Sequence, residues 1–196
     1  MSNGWLGEYT TQLGPDGLGH ERCWAATLAS CLLHFGWASD PYGLTLDVWR
    51  LAGGKTRTMG VDDLRNLASS YGVHTDPWYN WPEAMSAVND QQCVIALVNN
   101  RLLVPRAYPF GAEWEALHYI RLVMPVDNDQ LWYCYDPLCY KPQPDGRIYQ
   151  GPNVYTRESL SAAIMANSVQ EAGIVLTMNR TETPGQSDQA QAAGTS

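Results

Sequence analysis

Between residues 22 and 35, Trp24, Leu28, Leu32 and Phe35 recur at three- and four-residue steps. This spacing predicts a helix, and Gly36 stands where a C-terminal cap belongs. Shorter helical patterns follow at 45–52 (TLDVWRLA) and 60–71 (GVDDLRNLASSY), where Asp62 and Asp63 read as the acidic first turn. In NWPEAMSAVND, Asn80 is a natural cap and Pro82 fits the first turn. The pattern then changes to β-branched and aromatic runs: CVIALV at 93–98, HYIRLVMPV at 118–126 and QLWYCYD at 130–136, with DND at 127–129 supplying a hairpin turn. A helix at 156–167 and a strand at 173–178 close the order. Helices first and mostly antiparallel strands second predict an α+β fold.

The flanks lack this patterning. Residues 1–20 carry the turn run LGPDGLG and read as loop, and from about 180 the chain is polar without core-forming residues. The expected organisation is one domain over 1–179 and a disordered tail or linker over 180–196. A length of 196 residues with 45% hydrophobic content suits one such domain.

Charge narrows the function. A net charge of -8 and a pI of about 4.8 argue against a nucleic-acid or anionic-membrane footprint. The N-terminus has no basic start followed by an apolar run, and no stretch approaches a membrane span. The expectation is synthesis in the cytoplasm without a signal peptide, with release by lysis or carriage in a phage particle as routes outward. Eight Trp and eleven Tyr against two Phe suit the half-exposed walls of a cleft as well as a core.

Five cysteines, at 23, 31, 93, 134 and 139, are an odd count and do not look like a disulfide framework. Cys31, among Ala29 and Leu32, and Cys93, at a strand start, read as core. Cys23 differs, because a helix N-terminus together with a nearby imidazolium favours the thiolate. Of the four histidines, His34 is roughly 16 Å along the same helix at about 1.5 Å per residue. His20 lies in a Gly-rich loop, and His74 in GVHTDPW reads as an ordinary loop residue. His118 opens a strand whose hairpin partner ends in Asp136, so the two can be neighbours by geometry alone. A carboxylate on one imidazole nitrogen leaves the other to face a thiol.

CWAATLASCLLHFG followed by ALHYIRLVMPVDNDQLWYCYDPL resembles the papain-like cysteine peptidases, above all the bacteriocin-leader-peptidase branch and its bacterial and phage relatives. The resemblance covers residues 10–178. It implies a papain-like fold with a catalytic site of Cys23, His118 and Asp136, and no metal or organic cofactor. The family also places a Gln five or six residues before the Cys to bind the oxyanion, whereas here the nearest is Gln12, eleven residues upstream. Either LGPDGLGHER bulges out and lets Gln12 fill that role, or the Cys23 N–H acts with another donor such as His20. Losing one donor of this kind costs about 100- to 1,000-fold in rate.

Cys134 and Cys139 raise two side readings, a zinc site with His118 and a disulfide. The zinc reading lacks the second ligand pair such sites need. The segment 99–117 is long for a connection and is expected along a substrate cleft, with Trp78, Tyr79, Trp81, Tyr108, Phe110 and Trp114 flanking it or packing into the core. The resemblance implies an amide-cleaving thiol hydrolase, with peptide or peptidoglycan as substrate and phage structural or lysis components as partners. The compact peptidase pattern followed by a polar tail leans toward an endolysin-type wall hydrolase. The rival class is a peptidase-fold module without activity, such as a component of a phage particle.

Overall fold

Strand residues 93–99 explain the layering. Cys93, Ile95 and Leu97 pack into one apolar cluster, and the alternate residues Val94, Ala96 and Val98 into another. Period-two alternation therefore buries this strand on both faces. The computed structural model describes residues 8–12, 22–37, 40–54, 59–105, 117–167 and 173–177, so the expected tail 180–196, His20, Tyr108, Phe110 and Trp114 lie outside the described residues.

The helices are α1 (Cys23–His34), α2 (Pro41–Leu51), α3 (Val61–Ser69), α4 (Trp81–Asn89) and α5 (Arg157–Met165). The strands are β1 (His74–Trp78), β2 (Cys93–Asn99), β3 (Leu117–Val126), β4 (Leu131–Tyr135), β5 (Lys141–Pro142), β6 (Ile148–Tyr149), β7 (Asn153–Thr156) and β8 (Gly173–Thr177). One antiparallel sheet runs in the order β1-β8-β2-β3-β4-β7, and β5 pairs with β6 separately. Helices α1 to α3 supply Leu28, Val48 and Leu64 to the first cluster, while α4 and α5 supply Ala84 and Leu160 to the second. Among the described residues no helix is long and apolar enough to cross a membrane.

Local chemistry sets the boundaries. Helix α1 is buried on nearly every side, as a helix at the centre of a layer must be. It ends in a Schellman arrangement: Gly36, at φ +87°, donates to Leu33 O, and Trp37 N donates to Leu32 O. Helix α2 begins earlier than the pattern at 45–52 predicts, because Pro41 at its first turn after Asp40 is a start signal in its own right. In α4, Asn80 Oδ1 accepts from Glu83 N at 3.1 Å, and Glu83 reaches back to Tyr79 N at 2.8 Å. The β3–β4 turn holds Asp127, Asn128 and Asp129 at positive φ, which Asp and Asn tolerate best after Gly.

One correction concerns His74. It belongs to β1, which among the described residues is an edge strand paired with β8, rather than to a loop. Pro77 and exposed polar residues disguise this strand in the sequence, and an edge is where a sheet accepts Pro.

Candidate active site

The thiol and the imidazole are brought together by one turn of α1. Cys23 and Thr27 are four residues apart and share a helix face. Thr27 Oγ1 donates to Tyr119 O at 3.0 Å, tying that face to β3 one residue from His118. Residue 22 supplies no side-chain cap; instead the Arg22 guanidinium stacks 4.3 Å over the Trp49 ring of α2 and fixes the start of α1. The Cys23 side chain lies close enough to His118 to raise the pKa of its ring.

Register does the same for the acid. Leu122 pairs with Cys134, so His118, Ile120 and Leu122 share a sheet face with Cys134 and Asp136. His118 Nε2 donates to Asp136 Oδ1 at 2.8 Å, leaving Nδ1 as the nitrogen free to meet the sulfur. Asp136 also accepts from Leu138 N at 2.9 Å and from the Tyr155 hydroxyl on β7. His118 is 2% exposed, and Asp136 and Tyr155 are fully buried.

The electrostatics follow from these contacts. Burial opposes a charge on His118, yet the Asp136 carboxylate, its hydrogen bond and the Cys23 side chain outweigh it and push the imidazole up to about 10. Burial likewise opposes charge on Asp136, and the His118 charge with three hydrogen bonds still holds its carboxyl below the usual range. Burial and the Asp136 charge keep Tyr155 a neutral phenol. The arrangement is an imidazole braced by a carboxylate and close to a cysteine residue that is 8% exposed.

Gln12 lies along the turn that carries Asp136. Its N–H donates to Pro137 O at 3.0 Å, Thr11 Oγ1 donates to the same oxygen at 3.1 Å, and Tyr9 OH donates to Asp136 O at 3.1 Å. The sequence therefore brings Gln12 beside the His118–Asp136 end of the sheet, fully buried, despite its distance along the chain. The intervening 13–21, with His20, lie outside the described residues. Tyr155 and Thr27 escape sequence reasoning, because a four-residue strand and one helix face carry no recognisable motif.

The remaining candidates go elsewhere. His34, the last residue of α1, binds Glu8 and Gln91 O. His74 pairs with Asp76 at 3.2 Å and, with Asp62, Arg65 and Ser69, lines a polar groove of about 560 Å³, with β8 and β2 between it and β3. All five cysteines are free thiols, so Cys134 and Cys139 are unbridged here. Among the described residues no three His, Cys, Asp or Glu side chains group as metal ligands. Trp78 and Trp81 pack together, and Trp81 stacks in turn against Trp132, so these aromatics build core, while Tyr79 is exposed.

A buried leading helix packed on an antiparallel sheet is the fold of papain-like cysteine peptidases. Solved structures of C39-type peptidases share this fold. The protein matches one described as a C39-like peptidase from Bacillus anthracis with TM-score 0.61 and 14% identity, over 89% of this chain and 95% of that one. It matches the peptidase domain of Streptococcus ComA, a bifunctional ABC transporter, with TM-score 0.54 and 13% identity, over 86% and 95%. No protein-family model matches the sequence, and no curated protein matches it. The protein has the C39-like fold.

Proposed function

We propose that the protein is a cysteine peptidase that cleaves amide bonds by acyl transfer. The observation that carries this is the buried His118–Asp136 pair at 2.8 Å with the Cys23 side chain close to the ring. Cys23 sulfur attacks the amide carbonyl, and the oxyanion is held by the Cys23 backbone N–H and the Gln12 side-chain amide. His118 gives its Nδ1 proton to the leaving nitrogen as the C–N bond breaks, which leaves a thioester on Cys23. Water then attacks, His118 takes its proton, and the freed acid leaves the sulfur as it began. Asp136 holds the ring so that Nδ1 faces the sulfur throughout.

For substrate we infer peptide amides, and more specifically the peptide stems and cross-bridges of peptidoglycan, as for a wall hydrolase of phage or bacterial origin. The support is the polar composition beyond residue 180 beside a compact peptidase pattern. Incubation of wild type and Cys23→Ala with purified cell walls and with a casein digest, reading new amino termini, tests both levels. New termini from walls with wild type alone support the full reading, and termini from casein alone support a peptidase with another substrate. Termini from neither would leave a peptidase-fold module without activity.

A further inference from the structure

We propose that Tyr155 is a positioning residue that locks the Asp136 carboxylate against His118, so that activity depends on the phenol of the third residue of β7. The proposal rests on the reading of Cys23, His118 and Asp136 as the catalytic set. A carboxylate offers two oxygens, and here they are used differently. Oδ1 accepts both His118 Nε2–H and Leu138 N–H, whereas Oδ2 accepts the Tyr155 hydroxyl. The carboxylate and the phenol are fully buried, so no solvent stands ready to replace that bond. With Oδ2 unbonded the group can turn about Cβ–Cγ, and the ring it holds turns with it.

Tyr155 is itself held from both sides. Strand β7 pairs with β4 through Tyr155↔Trp132. Its other edge is covered by the segment after β2, where Thr156 N donates to Val104 O at 3.1 Å and Asn153 Nδ2 to Pro105 O at 3.4 Å. The phenol therefore meets Asp136 as a fixed donor, as a support for a reacting group must be.

The test is Tyr155→Phe, which removes one oxygen from the full chain. Expected is a fall of about tenfold in kcat with KM little changed, and an acid limb of the rate profile raised by about one pH unit, the size of one strong hydrogen bond to a charged group. In the Cys23→Ala background, the His118 ring nitrogens followed by NMR should titrate at lower pH once Tyr155 is Phe. An unchanged kcat, acid limb and ring titration overturns the proposal while leaving the catalytic reading intact. Full activity in Cys23→Ala overturns that reading instead, and the ring titration then still decides whether Tyr155 orients the pair. If Tyr155→Phe fails to fold, wild type supplies the test: a slowly exchanging Tyr155 hydroxyl proton supports the bond, and a freely exchanging one overturns it.

Discussion

Helix α1 has a histidine–carboxylate pair near each end, and each pair lies near cysteines. At its start, Cys23 lies near His118, which binds Asp136; at its end, Cys31 and Cys93 lie near His34, Glu8 and Arg121. The first pair is fully committed: Asp136 serves one histidine, and that histidine keeps a nitrogen for the sulfur. At the far end Glu8 is divided between His34 at 3.1 Å and Arg121 at 3.0 Å, and His34 spends its second nitrogen on Gln91 O. The helix adds to the contrast, because its N-terminus favours an anion such as a thiolate and its C-terminus favours a cation such as His34. Burial pushes both far-end thiols up, and although the bond to Cys31 and the Arg121 charge bring Cys93 down to about 7, neither sulfur is exposed. Similar residue types thus make the proposed reactive centre at one end and an internal brace at the other. The difference lies in access, helix polarity and a spare nitrogen.

The largest test of this contrast separates the cysteines. Cys23→Ala is expected to lower amide hydrolysis by about 10⁴-fold or more, the scale seen when a nucleophile is removed from a coupled set. Cys31→Ala and Cys93→Ala should keep the activity. Iodoacetamide at neutral pH, followed by peptide mapping, should label Cys23 first; earlier labelling of Cys31 or Cys93 would remove the distinction.

Next in size is the brace itself. Arg121 is 3% exposed and also donates to Ser30 O at 2.9 Å. Arg121→Met removes the cation that Glu8 and that carbonyl share, while Glu8 keeps its contact with His34. Because Glu8 keeps about a quarter of its side chain exposed, the loss should fall near the low end for a broken buried pair, about 3 kcal/mol. Urea unfolding measures it, and a loss below about 1 kcal/mol would mean the cluster does not brace the fold.

The contrast also shows what a sequence can carry. Cys23, His118 and Asp136 are legible because each sits at an element end where periodicity changes, and strand register links the last two. Gln12 is legible only through resemblance, since its placement comes from contacts with Pro137 in the folded chain. Strand β1 is hidden by Pro77, β7 by its four residues, and the Glu8–Arg121–His34 cluster by pairing over long separations. An Arg in the middle of the apolar run HYIRLVMPV is the one local sign of that cluster, because a buried cation demands a partner.

A smaller effect separates the two histidines by pH. His118 is raised from 6.5 to about 10, so its stabilisation is complete below 6.5 and is lost as pH rises through about 10. Asp136 is lowered from 3.8, so its share is present above 3.8 and is lost as pH falls through its folded value. The stability difference between wild type and His118→Gln should therefore be greatest between pH 3.8 and 6.5 and shrink toward pH 10, by on the order of 2 kcal/mol. Urea midpoints at pH 5, 7 and 9 measure it, and a difference constant with pH would mean that the pair does not carry the charge assigned to it.

The smallest expected effect is at His34. The Glu8 hydrogen bond raises its pKa, burial opposes this, and the ring keeps 29% of its side chain exposed. Solvent screening at that exposure leaves the pair worth less than about 1 kcal/mol. His34→Gln keeps a donor for Glu8, so it should unfold within about 1 kcal/mol of wild type, with its small deficit largest at acid pH, where the imidazole is charged. Hydrolysis should be unchanged, because this ring is a helix length from Cys23 and has no nitrogen left for a reacting group. A His34→Gln protein that folds normally but loses hydrolysis would show that the two ends of α1 are coupled, and would make the brace part of the catalytic apparatus.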